Sequence, residues 1–124
     1  MDMKKVLVIE DSSIEAEIVK EILEQDNIEL AIASTGEEGL QKAKETKPDL
    51  VILDLMLPGM SGYDVCGKIK ADPELEKTIV VVYSIKHSMA DIDKAFKLGA
   101  DDYIMKPPVP EFLARKVKLY LGLR

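Results

Sequence analysis

Glu10, Asp11, Asp54, Ser84 and Lys106 each close or directly follow an apolar run. If the three acids converge they repel, since unit charges ~4 Å apart interact by about 4 kcal/mol at an effective dielectric near 20. Either a carboxyl stays protonated or a cation sits among them. An all-oxygen donor set with room for water suits Mg²⁺ or Mn²⁺. The Ser84 hydroxyl and Lys106 ammonium are donors, suited to an anion that reaches the acids transiently. With a metal, the five make a phosphoryl site in which Asp54 is the nucleophile. A carboxylate attacking phosphorus forms an acyl phosphate.

The elements that must position these residues are legible as alternating patterns. The apolar runs "VLVI" (6–9), "IELAIA" (28–33), "LVIL" (50–53), "IVVVYS" (79–84) and "YIM" (103–105) alternate with segments of helical period. Such alternation predicts an α/β fold with a parallel sheet. Ile14, Ile18 and Ile22 form the expected core stripe of the first helix. Leu40 with Ala43, Val65 with Ile69, Ile92 with Ala95 and Phe96, and Leu113 with Val117 and Leu121 form the others. Ser12 followed by Glu15 reads as a capping box, and Pro110 suits the first turn of the last helix.

Runs one, three and four are continuously apolar, as strands covered on both faces should be, whereas the second alternates and the fifth is short. Those two belong at the edges. Right-handed crossovers then predict the order 2-1-3-4-5, with winding reversing between strands 1 and 3. Ligands in such sheets bind beyond the carboxyl ends at that reversal, where Glu10, Asp11 and Asp54 stand. Ser84 and Lys106 close the next two strands.

The 124 residues suit one domain, expected to span 1–124, and the end at "KLYLGLR" predicts no output domain in this chain. A net charge of −6 argues against direct nucleic-acid or acidic-membrane binding. The single cysteine, Cys66, permits no internal disulfide, and no run has signal-peptide or transmembrane length. A cytoplasmic setting follows. Cys66 reads as a packing residue, and His87, the only histidine, as an exposed loop residue.

Glu10-Asp11, Asp54 with "DLMLPGMSG", Ser84 and "GADDYIMKP" (99–107), in that order, resemble the receiver domain of bacterial two-component response regulators, including chemotaxis regulators. The likeness covers essentially the whole chain. It implies a flavodoxin-like, doubly wound (βα)5 sandwich and a signalling switch rather than an enzyme. Asp54 resembles the phosphoryl acceptor, Asp11 and the Met56 backbone carbonyl resemble metal ligands alongside it, and Glu10 would hold metal-bound water. Ser84 resembles the switch hydroxyl, Tyr103 the aromatic that turns with it, and Lys106 the phosphate-pairing lysine, joined to Pro107 by a cis bond. The implied partners are a sensor histidine kinase or histidine phosphotransfer protein, and a protein target on the face of helix 4, strand 5 and helix 5. The chain would be a monomer or a phosphorylation-dependent homodimer.

Two positions depart from the family pattern: Ile85 replaces a small residue and Pro108 an aromatic. Ile85 narrows access to the phosphate, and Pro108 alters the partner surface. Met56 and Lys86 occupy the positions that flank the hydrolytic water, which predicts slow self-dephosphorylation. An aspartate-nucleophile phosphatase would need an acid at Met56. An FMN carrier would need a phosphate loop where Glu10 and Asp11 stand.

Overall fold

Each apolar run becomes a strand of one parallel sheet in the computed structural model, which describes residues 3–25 and 27–123. The elements alternate as β1 (Lys4–Ile9), α1 (Ser13–Leu23), β2 (Ile28–Ala33), α2 (Gly36–Thr46), β3 (Leu50–Leu53), α3 (Gly62–Ala71), β4 (Ile79–Ser84), α4 (Met89–Lys97), β5 (Asp102–Met105) and α5 (Pro110–Leu121). The strand order is β2-β1-β3-β4-β5, as the crossover rule requires. Strands β2, β3 and β4 have the expected bounds. β1 begins two residues earlier, and β5 begins at Asp102, because polar residues extend the ladders beyond their apolar segments.

Successive residues of a strand face opposite sides, so the sheet builds two cores. Leu7, Ile9, Val51, Leu53, Val80 and Val82 pack against α2, α3 and α4 through Ala43, Val65, Ile69 and Ala95. Val6, Val8, Leu50, Ile52, Val81 and Tyr83 pack against α1 and α5 through Val19, Leu23, Leu113 and Val117. Cys66 lies fully inside the first core, where burial pushes its thiol up to about 11.

The expected stripe of α1 is corrected. Ile14 and Ile18 are exposed, Ile22 packs half-buried against the second core as expected, and the fully buried residues are Ala16, Val19 and Leu23. Both sets have helical spacing. The small Ala16 lets the helix approach the sheet, with Val19 and Leu23 filling the core beside it. On α4, likewise, Ala95 is buried while Phe96 is exposed. α2 approaches through Gly36, Gly39 and Ala43 with Leu40 at the margin: a Cβ on Gly39 would lie 2.5 Å from Ile9 Cδ1.

Candidate functional site

The carboxyl ends of β1, β3, β4 and β5 meet in one crevice. Glu10 and Asp54 are both buried, and Asp11 is exposed at its rim. Carboxylate oxygens of Glu10, Asp11 and Asp54 lie within 4.8 Å of one another. The crossover reversal is the cause: β1 and β3 pair in register from Val6–Leu50 to Ile9–Leu53, which sets the residues that follow them side by side. Their all-oxygen donor set fits a hard divalent cation.

Lys106 reaches into this group from β5 with a side chain only 5% exposed. Its Nζ lies 2.5 Å from Glu10 Oε1, 3.0 Å from Asp54 Oδ2 and 3.0 Å from Glu15 Oε1. Burial opposes the ammonium's charge, but hydrogen bonds to the three carboxylates outweigh it and hold Lys106 above its ordinary range. Burial pushes the Glu10 carboxyl up to about 7, against the hydrogen bonds from Lys106 and Ser12. The cation that the acid cluster demands is thus supplied in part by the chain itself.

The remaining expected residues are also at hand. Met56 donates its N–H to Asp54 Oδ1 at 3.0 Å. Ser84 is fully buried, and its Oγ accepts from Lys86 N–H at a long 3.4 Å. Half-buried Tyr103 donates its hydroxyl to the Lys86 carbonyl at 2.5 Å. The Lys106–Pro107 peptide bond is cis. His87 is exposed on the β4–α4 loop.

Two arrangements were not expected. Glu15 reads locally as a capping residue, yet its carboxylate pairs with Lys106; its place one turn into a helix that opens at the crevice was the available signal. Asp91 at the start of α4 accepts from Tyr63 Oη at 2.7 Å and from Ser88 Oγ at 2.6 Å, and lies 3.7 Å from Lys86 Nζ. These contacts tie α4 to α3 and to the β4–α4 loop.

The sequence model of the response regulator receiver domain matches residues 6–118. The chain belongs to this family. The DNA-binding response regulator MtrA of Mycolicibacterium paratuberculosis is 37% identical over 118 residues, covering 95% of this chain and 51% of MtrA. A CheY-like receiver domain protein from Methanospirillum hungatei superposes with a TM-score of 0.90 at 30% identity, covering 98% of this chain and 95% of that one. The BeF3-activated DrrB receiver domain superposes with a TM-score of 0.85 at 35% identity, over 97% and 98% of the two chains. Receiver domains are signalling modules with an acidic, divalent-metal pocket, and this chain has the flavodoxin-like fold of the family.

One expectation is overturned. Direct nucleic-acid binding was excluded on net charge, yet MtrA is named as DNA-binding. The chain spans about half the length of that relative. Acidity of a receiver segment limits contacts of that segment only, and carries no exclusion for a longer protein built on it. Among the described residues no helix is long and apolar enough to cross a membrane.

Proposed function

We propose that this chain is a phosphorylation switch whose Asp54 accepts a phosphoryl group from a phosphohistidine on a sensor histidine kinase or histidine phosphotransfer protein. The environment of Asp54 carries the reading: Lys106 Nζ and the Met56 N–H each lie 3.0 Å from one of its oxygens, with Glu10 and Asp11 alongside. A carboxylate oxygen of Asp54 bonds to phosphorus, the partner's P–N bond breaks, and its electron pair stays on the imidazole. The product on this chain is an acyl phosphate. The donor histidine belongs to the partner, which agrees with a crevice that contains none.

Asp11, Asp54 and the Met56 carbonyl would hold Mg²⁺, with Glu10 acting through water, and Mn²⁺ suits the same donors. The bound cation supplies charge neutralisation for the phosphoryl oxygens. Lys106 orients Asp54 and offers its ammonium to the incoming anion. Ser84 then turns its hydroxyl toward the phosphoryl group, and Tyr103 follows into the space it leaves. The altered surface is the face of α4, β5 and α5, where Phe96, Met105 and Leu119 are exposed. A protein target docks there. The name of MtrA keeps DNA among the downstream partners of a longer protein carrying this switch. A reducing, cytoplasmic setting suits the lone buried thiol.

Acetyl phosphate with Mg²⁺ should add one phosphoryl group, seen as a single mass increment. Asp54→Asn or EDTA should abolish it. Persistent labelling of Asp54→Asn overturns the assignment.

A further inference from the structure

The Lys106 ammonium has three N–H bonds, and three carboxylate oxygens, from Glu10, Asp54 and Glu15, lie within 3.0 Å of it. Hydrogen bonds run from it to Glu10 and Asp54, and Glu15 closes the third side as an ion pair. A phosphoryl oxygen reaching Lys106 must compete with these carboxylates for the ammonium. Glu10 is held: its side chain is 3% exposed, and its Oε2 also accepts the Ser12 N–H at 3.2 Å. Asp54 is the acceptor itself. Glu15 stands apart, with a side chain 42% exposed on the first turn of α1.

The helix start explains why Glu15 is available. A capping box would return the Glu15 carboxylate to the Ser12 N–H. Only half of that box forms: Ser12 Oγ accepts from Glu15 N–H at 3.2 Å, while Glu10 takes the Ser12 N–H. The Glu15 carboxylate is therefore not held by the Ser12 N–H and pairs with Lys106 instead.

We infer that Glu15 is a displaceable counter-ion of Lys106, a positioning residue that occupies the ammonium before phosphorylation and weakens the grip of the crevice on the phosphoryl group. This rests on the reading of Asp54 as acceptor. Glu15 competes with the phosphoryl oxygens for the ammonium, and its negative charge repels them. Removing that charge strengthens anion binding. The same change cannot strengthen Mg²⁺ binding, because it takes a negative charge away from the cation. The two affinities respond with different signs.

The test is a titration of the Mg²⁺-loaded protein with beryllofluoride, followed by amide shifts, in wild type, Glu15→Gln, Glu17→Gln and Asp54→Asn. Glu17 is an exposed acid of the same helix and controls for bulk charge. Glu15→Gln should lower the half-saturating beryllofluoride concentration by about three- to fivefold, the scale of a partly exposed ion pair. Mg²⁺ affinity, measured separately, should stay level or fall, and Glu17→Gln should match wild type. An unchanged or weaker beryllofluoride affinity in Glu15→Gln overturns the inference, as does equal tightening in Glu17→Gln or tighter Mg²⁺ binding. If wild type binds no more beryllofluoride than Asp54→Asn, the acceptor reading fails and this inference falls with it. Normal wild-type binding with no response to Glu15→Gln removes this inference alone.

Discussion

If Asp54 carries a phosphoryl group as proposed, Met56 and Lys86 stand at the positions that would flank a hydrolytic water, with Ile85 beside them. Met56 is 48% and Ile85 61% exposed, so neither side chain belongs to the core. Lys86 has donors and no acceptor, and its Nζ is drawn to Asp91 at 3.7 Å. On the proposed reading of Asp54 as acceptor, neither the Met56 nor the Lys86 side chain would orient a water for attack on phosphorus, and phosphoryl loss should be slow. Met56→Asn combined with Lys86→Glu should speed it by about 10²-fold, the scale attached to positioning a reactant. Phosphoryl decay followed by mass spectrometry measures this. A double variant that decays no faster than wild type refutes the role of these side chains. Ile85→Ala, measured separately, isolates steric access and should also speed decay.

The two loops that flank Asp54 are held in different ways. In the β3–α3 loop the backbone itself is close-packed: Gly62 N–H donates to the Leu55 carbonyl at 3.1 Å, and a Cβ on Gly62 would lie 2.2 Å from the Asp54 carbonyl oxygen. The β4–α4 loop is held through side chains, by the long Ser84–Lys86 contact, the Tyr103 hydroxyl and the Asp91 cluster. Side chains can exchange partners, so movement caused by a phosphoryl group should pass through β4 and α4. Charge-assisted hydrogen bonds to Ser84 and Lys106 contribute roughly 1.5–3 kcal/mol each. Since ~1.4 kcal/mol is a tenfold change in population, two such bonds suffice for most of a two-state shift. Beryllofluoride should move amide resonances across residues 84–120 as well as around Asp54. Shifts confined to the crevice would contradict a switch.

Among the described residues, Glu10, Asp11 and Asp54 form the one acid group close enough to hold a metal ion, so cation binding there should register as global stability. A ligand bound only by the native state stabilises by about 2.7 kcal/mol at 100 times its Kd. For a domain of this size that is a rise in Tm of roughly 10 °C. Mg²⁺ should produce it, EDTA should reverse it, and Asp11→Ala should blunt it. An equal rise with KCl at matched ionic strength would show a general salt effect instead. The other surfaces of the sheet are apolar and well covered, and they offer no comparable site for a small cation among the described residues.

Strand positions, sheet order and the gathering of Glu10, Asp11 and Asp54 were determined by the sequence itself. Continuous apolar runs can satisfy their backbone only inside a doubly covered sheet, and crossover handedness then leaves one order. Helix faces were not determined in this way. α1 carries two stripes of helical spacing, and only contact with the sheet selects Ala16, Val19 and Leu23 over Ile14 and Ile18. Glu15 had the same ambiguity in its charge. Its spacing from Ser12 indicated a local capping partner, whereas the fold delivered Lys106 from the far end of the chain to within 3.0 Å. Local pattern records which contacts a residue can make with its neighbours in sequence. Partners brought by the fold compete with those neighbours, and the outcome is settled only when the strands have placed them.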